Sequence, residues 1–376
     1  MNNRIIIWGN DNYNVLGLAR LLSCYNNTTF LLMGRRQFCA TLSKYCKKYV
    51  FVANIEEGLA YLNNMMQEPL KPIIIPTSDL VAECLDENKE KLKEKYLFSF
   101  TRETKLSYYL DKQNMSDLAY ECGLKIPLSY RLSQDLDANQ VGFPCIIKPA
   151  KKRKGFISAF KIEKCLNAVE LELTKNKISN PDNYVIQKFI DKEYDYLVYG
   201  CRFLDGTVLM PCFFKKTRWV NGDGSYGLLS PIVPDCINTG SIKRFFEKID
   251  YYGLFSIEFG IVNGEAYFYE ANFRNDGTSH YFGQAGINIP KIWVDNLADG
   301  LTPSCNISFR ETFFIDEVYD IYNVRNGKIS YTEWKEDKTT ARAYKYDYLN
   351  DHKPFYYQVL FKYAYKIYSA LKKLRK

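Results

Sequence analysis

The segment 254–275 reads L-F-S-I-E-F-G-I-V-N-G-E-A-Y-F-Y-E-A-N-F-R-N and gathers Glu258, Glu270, Asn272 and Arg274 in one short stretch. Two apolar runs flank Val262-Asn263-Gly264, a hairpin signal. Register decides whether the two glutamates cooperate, because side chains alternate between faces along a strand. A two-residue Asn263-Gly264 turn pairs Val262 with Glu265 and puts the glutamates on opposite faces. A three-residue loop with Gly264 left-handed pairs Ile261 with Glu265, sets Glu258 opposite Phe268, and leaves Glu258, Glu270 and Asn272 on one face; this second register is the one expected. Two carboxylates a few ångströms apart in a poorly hydrated cleft repel by about 1–4 kcal/mol unless a cation lies between them. Glu, Glu and Asn are hard oxygen ligands suited to Mg²⁺, which keeps waters and completes its shell with substrate phosphates. Arg274, on the same face if the strand continues, adds a phosphate-binding fork. The competing reading is a solvated strand face.

The sequence on either side of this hairpin has the pattern of α/β architecture. Arg4 to Trp8 is a short apolar run ending in Gly9-Asn10, followed by a helical pattern through Val15, Leu18, Ala19 and Leu22 and a second strand from Thr28 to Met33. Pro72 to Pro76 reads as a buried strand, with Thr77-Ser78-Asp79 capping a helix from Leu80, and a charged helix follows from Asn88 to Tyr96. Strand, helix, strand in this order predicts a Rossmann-like domain over 1–105. Gly9 alone is no G-x-G-x-x-G and is expected to mark a tight turn.

From Thr104 a helix carries Asp111-Lys112 and stops at Gly123. The run G-F-P-C-I-I-K-P, 142–149, delivers Lys148 on an apolar strand, where a buried lysine needs an anion. A basic loop follows, Lys151-Lys152-Arg153-Lys154-Gly155, then a strand from Tyr184 to Phe189. Lys215 to Arg218 leads into a glycine-rich loop, Asn221 to Gly227, where Arg218 could hold a carboxylate by a two-pronged contact. Arg202 is a further anion-binding candidate.

Composition narrows the chemistry. The chain has 376 residues, 51 Lys+Arg against 43 Asp+Glu for a formal charge of +8, and only 2 His. A multi-His zinc site or histidine relay is therefore excluded, and carboxylates must carry the chemistry. The 11 cysteines form no C-x-x-C pair, which points to reduced thiols and a cytosolic setting. No signal peptide or membrane-spanning run is expected. The basic loop lacks surrounding base-stacking aromatics, so no nucleic-acid partner is expected.

Taken with its context, E-x(11)-E-x-N-x-R resembles the metal and phosphate motif of the ATP-grasp superfamily, and the chain resembles the carboxylate-amine ligase branch that includes D-aspartate ligase. The similarity runs to about Gly300. It implies an α/β and α+β fold: a Rossmann-like pre-ATP-grasp domain, 1–105; a small, nucleotide-side lobe, 106–190; a large metal and acceptor lobe, 191–305, with ATP between the lobes; and a helical C-terminal appendix, 306–376. By the motif, Glu258, Glu270 and Asn272 would hold Mg²⁺ or Mn²⁺, and Arg274 would bind the γ-phosphate or an acyl phosphate. Lys112 and Lys148 match the family's phosphate-contacting lysines. Gln187, Lys188 and Ile190 match the strand and linker that hold adenine, and Glu193 or Asp195 the acidic ribose position. The family's glycine-rich phosphate loop is replaced here by K-K-R-K-G-F-I-S.

The resemblance implies that a substrate carboxylate attacks ATP to give an acyl phosphate, which an amine then displaces, with small-molecule substrates, a cytoplasmic location and a homodimer as further expectations. Arg218, Lys148 and Arg274 are the expected catalytic side chains. The alternatives are ATP-dependent carboxylation or carbamoyl-phosphate-type chemistry, and a catalytically silent nucleotide-binding regulatory protein. In the tail, Phe355 to Lys376 reads as a helix with Lys362, Lys366, Ser369, Lys373 and Lys376 along one stripe, a basic aromatic face of the kind that lies on an anionic inner-membrane surface.

Overall fold

The computed structural model describes residues 3–133, 138–151, 157–300 and 309–374. Its first five strands, β1 (Ile5–Asn10), β2 (Thr28–Met33), β3 (Tyr49–Val52), β4 (Ile73–Pro76) and β5 (Leu97–Phe98), form a parallel sheet in the order β3-β2-β1-β4-β5. Both faces are covered, so Ile5, Ile6 and Ile7 are all fully buried and β1 reads as a continuous apolar run rather than an alternating one. The helix Tyr13–Leu21 is capped by Asn12, and Ser78 caps the helix Asp79–Glu87 through the Val81 N–H. The next helix is shorter than its sequence suggests, Lys89–Leu92. Gly9 is a strand residue paired with Leu32, not a turn. A Cβ there would lie 1.7 Å from Thr77 Oγ1, so the glycine allows the ends of β1 and β4 to close on each other.

A two-residue strand, β6 (Phe100–Thr101), leaves this domain and pairs with the large sheet. The small lobe is an antiparallel sheet of β7 (Ser129–Arg131), β8 (Cys145–Pro149), β9 (Glu163–Cys165) and β10 (Tyr184–Lys188), ordered β7-β10-β8-β9. One face buries Cys145, Ile147 and Ile186 with Leu171 of the helix Ala168–Lys175. Alternation therefore sends Lys148 to the other face, beside Val185 and close to Gln187. Residues 152–155 of the basic loop lie outside the described residues, and Lys151 is bound to Glu83 at 2.5 Å and to the Ser107 carbonyl.

The large sheet runs β15-β14-β11-β12-β13-β16-β17, from β11 (Tyr194–Arg202), β12 (Val208–Val220), β13 (Asp223–Ser230), β14 (Tyr251–Val262), β15 (Glu265–Asn272), β16 (Thr312–Ile315) and β17 (Ala343–Tyr344). One face packs Val198, Phe213, Ile257, Phe259 and Phe268 against Phe245 and Phe246 of the helix Thr239–Ile249. The other packs Leu197, Tyr199, Phe214 and Leu254 against the N-terminal domain in one shared core with Val15 and Leu18. The C-terminal segment is tied into the fold: β16 pairs with β13, and buried Asp351 accepts from Arg20 Nε at 2.9 Å and from Ser43 Oγ at 2.7 Å.

Among the described residues, no helix is long and apolar enough to cross a membrane. The last helix, Lys353–Leu374, packs Phe355 and Val359 against the shared core. Lys362 follows them inward, donating to the Val318 carbonyl between the rings of Tyr319 and Tyr322. The expected lysine stripe therefore begins inside the protein. Lys376 and the side chains of Lys366, Ser369 and Lys373 lie outside the described residues.

Candidate active site

The hairpin β14–β15 has the tight turn, not the three-residue loop: Val262 pairs with Glu265, with Asn263 and Gly264 at φ of 50° and 77°. That turn alone would separate the glutamates. A bulge between Glu258 and Phe259 corrects the register, because Phe259 pairs with Phe268 and Glu258 with Glu270, leaving Tyr269 as the extra residue. The Tyr269 ring lies over Gly260, where a Cβ would come within 2.0 Å of its hydroxyl. Glu258, Glu270 and Asn272 thus share a face by a route different from the one expected, with Asn272 opposite Ser256 and donating to its hydroxyl.

Cations from three separate regions meet this pair. Lys112, first residue of the helix Lys112–Glu121, stands 3.5 Å from Glu270, and Lys216 on β12 stands 3.1 Å from Glu258. Lys148 donates to Gln187 Oε1 at 3.0 Å. Its amino group is pushed down to about 8 by burial and by Lys112, against the opposing pull of Glu270. Burial lifts the Glu258 carboxyl above the usual range, with Glu270 adding to the shift and Lys216 opposing it. Burial acts the same way on Glu270, but Lys112 and Lys148 outweigh it and hold that carboxyl low. The two side chains keep 27% and 41% of their exposure, so they form the floor of a cleft that a ligand can reach.

Arg274 lies past the end of β15 and turns toward the N-terminal domain. It binds Asp79 at 2.9 Å, Asn272 Oδ1 at 2.9 Å and the Asn275 carbonyl, with Asp276 at 3.5 Å. Asp79 sits in the first turn of the helix that follows β4, so this arginine joins the Rossmann-like domain to the carboxylate pair.

On the small lobe, Gln187 is buried and Lys188 donates to the Phe143 carbonyl at 2.8 Å. The Ile190 carbonyl accepts from the Lys192 N–H. The two acidic candidates separate clearly. Glu193 is exposed and accepts from the Asn263 N–H, bracing the hairpin turn. Asp195 is 3% exposed; its Oδ2 accepts from Lys192 Nζ and from the Trp219 indole, while its Oδ1 is buried with no hydrogen bond. A buried carboxylate oxygen left this way costs stability unless something binds it.

Two arginines are placed elsewhere than expected. Arg218 grips the protein's own Asp320 with a two-pronged contact at 3.2 and 2.8 Å, binds Asp337 at 2.5 Å, and stacks on Tyr226 at 3.8 Å. Its fork is filled by these carboxylates, as that of Arg274 is by Asp79 and Asn272. A cavity of about 540 Å³ lies beside it, lined in part by Trp219, Lys328 and Glu333. Arg202 is buried, donating to the Phe246 and Tyr251 carbonyls at 3.2 Å, and is a structural cross-brace rather than an anion site. Conversely, Lys216, Asp79 and Asp276 enter the cluster without having been singled out. Lys216 lies in a run of three cations and threonine, and a bulge between Lys216 and Arg218 breaks the alternation there, so nothing in the run marks it out.

The donor set fits a small hard cation held jointly with phosphates. Two carboxylates and an amide oxygen stand together, and among the described residues no group of three or more His, Cys, Asp or Glu could hold a metal unaided. His280 takes no part: it is buried against Arg20, and burial and that cation push its imidazole down to about 3.

No protein-family model and no curated protein matches the chain. Solved structures do. The N5-carboxyaminoimidazole synthetase from Staphylococcus aureus complexed with ADP is similar at 15% identity and a TM-score of 0.64, over 90% of this chain and 91% of that one. An L-amino acid ligase from Bacillus licheniformis is similar at 12% identity and a TM-score of 0.59, over 83% and 79%. A biotin carboxylase from Campylobacter jejuni, in a β-γ-ATP complex, is similar at 15% identity and a TM-score of 0.62, over 82% and 74%. These are ATP-grasp proteins, and the chain has the ATP-grasp fold.

Proposed function

We propose that the protein is an ATP- and Mg²⁺-dependent ligase that joins a small-molecule carboxylate to an amine through an acyl phosphate. The observation that carries this reading is the Glu258–Glu270 pair, set face to face in the cleft beneath Lys112 and Lys148. Glu258, Glu270 and Asn272 hold Mg²⁺ or Mn²⁺, which neutralises charge on the phosphates. Lys112 and Lys148 bind phosphate oxygens; Gln187, Lys188 and Ile190 line the adenine; Asp195, in preference to Glu193, accepts from the ribose. Arg274, fixed by Asp79, presents its guanidinium where charge builds on the transferring phosphoryl group. No side-chain nucleophile is needed, since the substrate carboxylate attacks and positioning with charge neutralisation supplies the rate. The same reading makes the enzyme cytoplasmic and a homodimer, with an amino acid joined to a cell-envelope or polysaccharide precursor as one substrate pairing.

The test is ADP release measured with candidate carboxylates and amines, singly and together. Release that requires both supports the ligase. Release that requires bicarbonate as the carboxylate, with a nitrogen acceptor, supports carboxylation, the reading that the names of the synthetase and the carboxylase favour. Nucleotide binding with no release under any combination leaves the silent regulatory protein.

A further inference from the structure

The helix Lys353–Leu374 turns an aromatic and apolar surface outward. Phe355, Val359 and Lys362 face the protein, and the opposite side carries Tyr356, Leu360, Phe361 and Tyr363, which are 60%, 68%, 52% and 56% exposed. Tyr356, Leu360 and Tyr363 fall at helical spacing on one stripe. A second, distant part of the chain extends the surface. Phe38 packs on Tyr357 with ring centroids 5.4 Å apart, and Arg36 lies over the Phe38 ring at 4.7 Å, next to exposed Arg35. Large apolar side chains exposed side by side in this way mark an interaction surface.

Charge decides among the occupants. Residues 353–376 contain 7 Lys and Arg and no Asp or Glu. Two copies of such a helix laid side by side would bring like charges together with no acidic partner on either, so a second copy of this chain is disfavoured. An anionic lipid surface offers what the segment lacks: negative charge for the cations and an interfacial layer for tyrosine, phenylalanine and leucine. We propose that the outward face of the terminal helix, with the Arg35–Phe38 loop beside it, docks the protein on anionic membrane. The lysines are not the face itself, as the sequence pattern suggests. Lys362 is spent inside the protein, and the apolar stripe meets the lipid.

The test uses the full chain and sedimentation with phosphatidylcholine vesicles, with and without phosphatidylglycerol. Expected is binding that requires phosphatidylglycerol, weakens steeply as salt is raised, and falls at least about tenfold in the Leu360→Glu/Phe361→Glu double variant and severalfold in Arg36→Glu. Unchanged melting temperature and nucleotide affinity in these variants would show that the fold is intact. Equal binding to both vesicles, no binding, or binding indifferent to the Leu360 and Phe361 substitutions overturns the proposal. So does a concentration-dependent dimer that the same substitutions dissociate, since that assigns the face to a second copy. The readout needs no turnover, so it stands or fails separately from the ligase reading.

Discussion

Glu258 stands directly opposite Glu270 because β15 contains one residue more than the strand it pairs with, and Tyr269 is that residue. Without the bulge, the tight Asn263-Gly264 turn would send Glu270 to the aromatic core on the other face of the sheet. The pairing brings two carboxylates into a cleft where burial already disfavours their charge, and each has a lysine against it.

If a cation replaces those lysines as the partner of the pair when nucleotide binds, removing one carboxylate removes the turnover. Glu270→Gln is expected to lower substrate-dependent ADP release by about 10²–10³-fold, equivalent to roughly 3–4 kcal/mol of transition-state stabilisation. Glu258→Gln should act similarly, with Mg²⁺-dependent nucleotide binding weakened in both. Steady-state assays across a Mg²⁺ titration check this. Full activity in either variant counts against the metal assignment.

Much of this arrangement was readable from the chain, for definable reasons. β2 was placed to the residue, whereas β1 was ended two residues early because Gly9 read as a turn; both strands were visible because both faces of the sheet are buried. The four-residue motif was visible because it lies within one hairpin. The bulge was not visible, because nothing in Y-F-Y-E-A-N marks Tyr269 as the unpaired residue; only cross-strand packing over Gly260 selects it. The partners of Arg202 and Arg218 were hidden for a different reason. An arginine in a polar run looks free until its partners are known, and Asp320 and Asp337 lie more than a hundred residues further along.

Lys148 gives a pH signature. In the proposed ligase its phosphate contact needs the cationic form, and in the ligand-free protein that form is lost as pH rises through about 8. Nucleotide affinity is expected to fall about tenfold between pH 7 and pH 9. Lys148→Arg should flatten that limb, since a guanidinium keeps its charge. The stability contribution has the opposite sign. Between about 8 and the ordinary lysine value of 10.5 the unfolded chain holds more protons than the native one, so this group favours folding increasingly across that window. Calorimetric titration of an unreactive ATP analogue over this range, beside denaturant unfolding, separates the two.

Arg218 is expected to matter for stability rather than for substrate affinity. Asp320 is fully buried, and Arg218→Ala strips away its two-pronged partner while Ser225 and Asn323 remain. Removing one member of a buried pair costs about 3–5 kcal/mol, to be read from urea unfolding. A variant with unchanged midpoint and a raised KM for a carboxylate substrate would return Arg218 to the acceptor site.

Asp195 and Glu193 are two residues apart, yet only Asp195 keeps a buried acceptor oxygen without a hydrogen bond. Glu193 already spends its carboxylate on the Asn263 N–H at the surface, so Glu193→Gln should leave nucleotide affinity within about twofold, because the amide oxygen accepts the same bond. Asp195 has one oxygen held by Lys192 and Trp219 and the other buried without a hydrogen bond, an arrangement whose cost is repaid when a hydroxyl donates to it. Asp195→Asn exchanges a charged acceptor for a neutral amide there, and a lost hydrogen bond to a charged group is worth about 1.5–3 kcal/mol. Nucleotide affinity should therefore fall by at least about tenfold. The Trp219 indole, bound to the same carboxylate, supplies a fluorescence reporter for the titration. Equal weakening in both variants would mean that the hairpin turn braced by Glu193, not the Asp195 oxygen, shapes the ribose site.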